Sequence, residues 1–290
     1  MLDAAKEYKD TIIRALFNEP KKPLKLYCDL TGKTYPENTM VEMKPVEAKL
    51  LPKQRNDLSF VIGDVLVVFI EHQSTLNRNM PLRLLQYVLT FLALYYDLGS
   101  ALYRNKLIRI PRPEFYVLYN GREHYPPMGE LRLSEAYMEP DIGESPALEL
   151  VVKVININNG SPIKALERNK DLKEYAIFVE KVFEAEKAGM PRKEAVRQAK
   201  KDSEAEGILV EFFEKYGDEV ESMFSLVYDE DLALKYAVEE ALEEGMEKGL
   251  EKGLEKGLEK VARKMVQDNE PIEKIMTYTG FTHKQIEALK

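Results

Sequence analysis

The clearest hydrophobic signal in the chain is an unbroken apolar run, Val65 to Ile70 (VLVVFI), rich in β-branched residues. Such a run is the pattern of a strand buried on both faces, in a sheet covered by helices. A shorter apolar stretch, Leu58–Ile62, precedes it, and Gly63 and Asp64 between the two form a turn signal. The period then lengthens. Asn79 can cap a helix, Pro81 suits its first turn, and Leu82, Leu85, Leu89, Leu92 and Tyr96 recur along one face as far as Asp97. Two further strands are predicted at Phe115–Asn120 and Leu148–Ile157, and helices over 4–17, 170–187, 192–215 and from 231 onward. Residues 18–38 read as a loop rich in Pro, Gly and Lys, and 39–51 as an ambiguous segment, a strand broken at Pro45. Helix, strands, helix, strands is the order of an α/β sandwich: a mixed sheet flanked by helices, with a helical C-terminal half.

At 290 residues the chain has room for one large domain or two ordinary ones. The expected organisation is a core over 1–160, a helical region packing on it over 161–240, and a repeat helix with a small helical tail over 241–290. The repeat is four tetrads across 245–260, GMEK followed by GLEK three times. Its apolar row (Met246, Leu250, Leu254, Leu258) and its glycines both recur at i+4. Each glycine costs about 0.8–1 kcal/mol of helix propensity, so this helix is weak alone. It is either a solvated linker helix or a surface for a partner helix, including a second copy. In the tail, Ile272, Ile275 and Met276 share a face, Gly280 breaks the chain and Thr282 caps a last helix. That is a helix-turn-helix outline with few basic residues, better suited to packing or oligomerisation than to reading DNA.

Composition narrows the class. With 44% hydrophobic and 32% charged residues, the chain has the balance of a soluble, core-forming protein. A single cysteine, Cys28, excludes an intrachain disulfide and points to a reducing, cytoplasmic setting. With only three dispersed histidines, it also excludes the usual structural zinc site. The N-terminus carries charges where a signal peptide would be apolar, and Leu82 to Leu98 contains Arg83, Gln86 and Asp97, so no membrane span is expected. The net charge of −8 and pI of about 5.3 count against a polyanionic partner. Much of the acid is C-terminal (Glu239, Glu240, Glu243, Glu244), however, whereas Tyr103 to Arg112 is locally basic through Arg104, Lys106, Arg109 and Arg112. Local potential guides a polyanion more than the total does.

The candidate chemistry lies at FIEHQST, 69–75. Alternation along a strand puts Glu71 and Gln73 on one face and His72 on the other. A second carboxylate must come from a neighbouring strand. Asp64 is seven residues from Glu71, roughly 23 Å along a strand, and too far to share an ion. Asp57 begins the preceding strand. A two-residue loop would oppose Asp57 to Ile70, on the wrong face; a three-residue loop at 63–65, or one bulge, sets it opposite Glu71, and one of these is predicted. Two carboxylates suit Mg²⁺, or Mn²⁺ in its place, which would polarise a phosphate and acidify a bound water. Gln73 can position water but cannot neutralise an oxyanion. D-x13-E-x-Q is a common spacing, and two solvated strand-end acids are the plainer account of it.

The surrounding words carry more. RNDLSF (55–60) and IEHQSTLNRNMPLRLLQY (70–87) strongly resemble the recombination-promoting nuclease (Rpn) family, whose members also carry a transposase label, within the PD-(D/E)XK nuclease superfamily. YKDTIIRALF (8–17), LIRIPRPEFYVLYNG (107–121), LELVVKVININNG (148–160), LKEYAIFV (172–179) and the Gly-Glu-Lys-rich tail are similar to it too, so the resemblance covers nearly the whole chain. It implies an α/β nuclease core and a Mg²⁺-dependent DNA endonuclease, in which Asp57 and Glu71 match the metal acids. Gln73 stands at the superfamily's lysine position, a replacement usual in this branch. Related nucleases carry a polar-x3-Tyr pair where Arg83 and Tyr87 stand. Further candidates are Asp10 as a supporting acid and Arg78, Arg104, Lys106, Arg109 and Arg112 as phosphate contacts, each weighed against plain solvation. His72 is read as a packed histidine. The alternative function is an inactive derivative that binds DNA or assembles through its C-terminal helices.

Overall fold

A computed structural model of the chain describes residues 12–46, 56–96, 100–138, 145–217, 219–224, 257–258, 260–268 and 270–288. Residues 1–231 form one compact unit and 232–290 a second. Asp10 and most of the GLEK repeat lie outside the described residues.

The first unit is mixed α/β. Two helices, α1 (Ile12–Phe17) and α2 (Lys22–Thr31), lead into β1 (Val41–Met43), β2 (Leu58–Ile62) and β3 (Leu66–Gln73). Helix α3 (Met80–Tyr95) follows, then β4 (Arg112–Tyr119), β5 (Met128–Arg132) and β6 (Val151–Asn156), and finally α4 (Lys164–Arg168), α5 (Lys170–Lys187), α6 (Arg192–Ala205) and α7 (Val210–Tyr216). The strands make one six-stranded sheet in the order β1-β2-β3-β4-β6-β5. β3, β4 and β6 run parallel, and β1, β2 and β5 are antiparallel to their neighbours.

The apolar run does what its composition dictates: every residue of β3 is buried. Its side chains divide by parity. Leu66, Val68 and Ile70 join a core with α1, α2 and α4 to α7 on one face, while Val67 and Phe69 pack with α3 on the other. Phe69 meets Phe91 of α3 edge-on, with ring centroids 6.0 Å apart. Both faces of the strand are therefore covered by helices, as a parallel pair requires.

The β2–β3 connection fixes the register. Ile62 pairs with Leu66 and Leu58 with Ile70, which leaves a three-residue loop at 63–65. Val65 N–H donates to the Ile62 carbonyl at 3.2 Å around Gly63 and Asp64, whose φ angles are +54° and +58°. Two successive positive φ values suit a tight primed turn, and Val65, with its side chain exposed, is the extra residue. One step beyond Leu58 and Ile70, the register brings Asp57 opposite Glu71.

Helix α3 differs from its expected orientation. The fully buried row is Met80, Leu84, Tyr87 and Phe91, whereas Leu82 and Leu89 face outward. Both rows are apolar, so periodicity alone left the inward face undetermined. α2 replaces part of the expected loop, with Pro23 in its first turn and Gly32 closing it at φ +73°. β5 is a strand that the pattern did not predict, and the segment 192–215 divides into α6 and α7. In the second unit, helices Ile272–Thr279 and His283–Glu287 are separated by Gly280, and Thr282 caps the latter through a capping box. No helix among the described residues is long and apolar enough to cross a membrane.

Candidate metal and phosphate site

Asp57, Glu71 and Gln73 meet at the carboxyl end of β3, on the face covered by α3. In α/β sheets this end is where ligands generally bind. Glu71 is 2% exposed. One carboxylate oxygen, Oε1, accepts from Asn56 Nδ2 at 2.6 Å and from the Asp57 backbone N–H at 3.3 Å. The other, Oε2, lies 3.0 Å from Arg83 Nη2. Asp57 Oδ2 accepts the His72 backbone N–H at 2.8 Å, taking a place that would otherwise belong to the sheet ladder. Burial is the largest influence on the Glu71 carboxyl and raises its pKa; Arg83 pulls it back and the Asp57 charge pushes it up again, with a net upward shift.

Arg83 and Tyr87, one helical turn apart on α3, close the site from above. Arg83 Nε donates to Tyr87 Oη at 2.9 Å, and the guanidinium rests over the Tyr87 ring, 5.6 Å from its centroid. Gln73 is 5% exposed. Its Oε1 accepts the Asn77 N–H at 3.2 Å, and its Nε2 faces the thioether of Met80 at 3.0 Å, a weak acceptor. Asn120 N–H bonds the Gln73 carbonyl at 2.9 Å and holds the strand end. Gly121 beside it has to be a glycine, since a Cβ there would fall 1.9 Å from the Ser74 carbonyl oxygen.

The remaining candidates divide by place. Arg78 is exposed on the segment that joins Gln73 to α3. Arg112 pairs in register with Leu66, five residues or roughly 17 Å along the strand from Glu71, and is ion-paired to Glu114 at 3.0 Å. Arg104, Lys106 and Arg109 are exposed on the segment that enters β4 at that distant end. His72 points to the opposite face, where its Nε2 sits 3.2 Å from Tyr175 Oη; burial lowers its pKa to about 3, so the ring is neutral.

Asn56 is a site residue that the pattern did not reveal. Alternation would send it away from Asp57, but it precedes the regular part of β2, so its side chain turns to Glu71 instead. Its Oδ1 is buried without a hydrogen-bond partner. Comparison with known proteins found no matching family model, no similar curated protein and no similar solved structure. The donor chemistry itself fits a hard divalent cation: two carboxylates and an unsatisfied amide oxygen are the ligand types Mg²⁺ takes. Arg83 meanwhile supplies the positive charge that Glu71 requires.

Proposed function

We propose that this protein is a Mg²⁺-dependent DNA endonuclease of the PD-(D/E)XK type, related to the recombination-promoting nucleases that its sequence resembles. The observation that carries the proposal is the β2–β3 register, which sets Asp57 beside Glu71 on the face that also holds Gln73, Arg83 and Tyr87. Asp57 and Glu71, with Asn56 beside them, would hold the ion. When bound, Mg²⁺ supplies a Lewis acid at the scissile phosphate and acidifies water. Gln73 Nε2 can exchange its weak thioether acceptor for a phosphate oxygen or a water, and so orients rather than neutralises. Arg83 is the residue whose charge can pass from Glu71 to phosphate, in the planar two-pronged geometry that suits it. Arg78 is assigned to phosphate next to the acids. Arg104, Lys106, Arg109 and Arg112 would contact only a duplex long enough to reach ~17 Å along the sheet.

The deciding experiment is nicking of supercoiled plasmid with Mg²⁺ or Mn²⁺ by the parent and by folded Asp57→Ala and Glu71→Ala variants. Parent nicking that is lost in both supports the proposal. Nicking that survives in either places the chemistry elsewhere. The second reading is an inactive derivative that binds DNA, and what favours it is the Arg83–Glu71 pair, which already satisfies the acid without an ion. A parent that binds DNA and never cuts, with either metal, would select it.

A further inference from the structure

His72 is a costly residue for the place it occupies. Its side chain points away from the acids and is buried on the face covered by α5. The ring meets that of Tyr175 edge-on, with centroids 5.5 Å apart, and Nε2 lies 3.2 Å from Tyr175 Oη. Nδ1 is buried with no hydrogen-bond partner. Leu66, Val68 and Ile70, which precede it on the same face of β3, are all apolar. A further apolar side chain would fill the space without leaving a polar atom unpaired, which burial makes expensive. What histidine adds over such a residue is the bond to Tyr175.

The backbone of the same residue holds one of the acids. Lys44 N–H bonds the Ser59 carbonyl, so the main chain of Ser59 faces β1, and that of Leu58 and of every second residue from it faces β3. One more step of that ladder would pair Asn56 with His72. The ladder stops short of it: Asn56 N–H turns to the Val46 carbonyl at 3.0 Å, and His72 N–H goes to Asp57 Oδ2 at 2.8 Å. At His72 the main chain of β3 has thus parted from that of β2. On the other side of β3 the contact with β4 is made by the alternate residues, such as Gln73, whose carbonyl accepts from Asn120 N–H. The direction of the His72 N–H is therefore sensitive to how its own side chain is tethered. We propose that His72 is a positioning residue: its bond to Tyr175 ties the end of β3 to α5 and so aims the His72 N–H at Asp57. A hydrogen bond on one face of the sheet thereby sets a carboxylate on the other. This role rests on the reading of Asp57 and Glu71 as metal acids. Groups that orient a metal ligand without touching the ion typically change its affinity 10–100-fold.

The test is Mn²⁺ binding by calorimetry, with plasmid-nicking kinetics and thermal unfolding beside it, on the full chain. The proteins are the parent, Asp57→Ala, His72→Phe, His72→Gln, Tyr175→Phe and the double variant His72→Phe/Tyr175→Phe. Phenylalanine at 72 keeps the ring packing and loses the bond, whereas glutamine can return a nitrogen to the place of Nε2. His72→Phe and Tyr175→Phe are each expected to weaken Mn²⁺ binding about tenfold. They should also lower kcat for nicking while KM for DNA stays unchanged. The double variant should bind no more weakly than either single one, because both remove the same bond. His72→Gln should bind close to the parent. A side chain that serves only the core would lower Tm and leave Mn²⁺ affinity where it was. That result in Tyr175→Phe overturns the proposal, and so does a double variant in which the two losses multiply. Tyr175→Phe removes a single oxygen, so it decides the matter should His72→Phe fail to fold. If the parent binds Mn²⁺ no better than Asp57→Ala, the metal-site reading itself fails and the positioning role falls with it. Binding that requires Asp57 but is indifferent to His72 and Tyr175 removes the positioning role alone.

Discussion

Glu71 is a carboxylate placed where an ionised group needs a partner. Removing a charge from water costs several kcal/mol, and two N–H donors return only part of it. Arg83 supplies the rest through its contact with Oε2. If Arg83 is replaced by glutamine, Glu71 can avoid the cost by holding a proton, so the penalty must depend on pH. The sign is fixed: the folded pKa is raised above the ordinary 4.5, folding takes up a proton, and stability is lost as pH rises through the folded value. Arg83→Gln raises that pKa further. The expected loss in urea unfolding is small near pH 5 and grows to about 3–5 kcal/mol at pH 8. The double variant Arg83→Gln/Glu71→Gln should recover most of it. A pH-independent loss would mean that Arg83 matters through packing on Tyr87 instead. The same substitution frees Oε2, so Mn²⁺ should bind Arg83→Gln more tightly than the parent in calorimetry. Equal or weaker binding would count against Glu71 as a metal ligand.

Among the elements, the β2–β3 hairpin carries the site. The acids alone required either a three-residue loop or a bulge, and Val65 is the residue that provides it. Its side chain is 69% exposed, so Val65→Ser should change stability by less than about 0.5 kcal/mol. Deleting it shortens the loop to two residues and slips the register by one, which turns Glu71 and Gln73 toward the wrong core. That deletion is expected to abolish cooperative unfolding or, in any folded fraction, plasmid nicking. Retention of both would show that the strand pairing tolerates a compensating bulge. A second element-scale link joins α2 to β4. Burial alone would raise the Glu114 pKa, but hydrogen bonds from Tyr27, Lys33 and Tyr116 overcome it and hold the carboxylate down at about 2. A depressed carboxylate contributes stability above its ordinary 4.5 and loses it as pH falls toward 2. The carboxylate is partly buried and held by charge-assisted hydrogen bonds, so Glu114→Gln should cost about 1.5–3 kcal/mol at pH 7, with the difference vanishing as pH approaches 2. The elements legible in the sequence were those whose burial leaves one interpretation: β2, β3 and α5. The inward face of α3 was not legible, because apolar residues line both sides and the period gives a helix without its rotation. β5 was missed because only Leu131 of its five residues is buried. Asn56 was missed because alternation does not apply to a residue outside the regular strand.

At the scale of the molecule, the two units differ in what holds them together. Both large cores of the first unit draw all their buried residues from positions 12–224. The described core of the second is Ala262, Ile275 and Ile286, edged by Met265, Val266, Ile272 and Phe281. Domains this small seldom bury enough apolar surface to offset the roughly 1.5 kcal/mol of ordering entropy per residue. The first unit should therefore be self-sufficient and the second not. A chain ending at Asp231 is expected to keep the main thermal transition of the full protein within about 2–4 °C, since a loss of 1 kcal/mol moves a domain of this size by that amount. It should also keep whatever nicking the full chain has, because every residue of the acid site precedes Asn120. A peptide of residues 232–290 should show weak, non-cooperative melting by circular dichroism. A truncated chain that unfolds many degrees earlier would mean that the second unit stabilises the first, and would give the Gly-Glu-Lys repeat a structural role. A peptide that melts cooperatively on its own would point instead to a self-contained module, held by association between copies through the i+4 row of Met246, Leu250, Leu254 and Leu258.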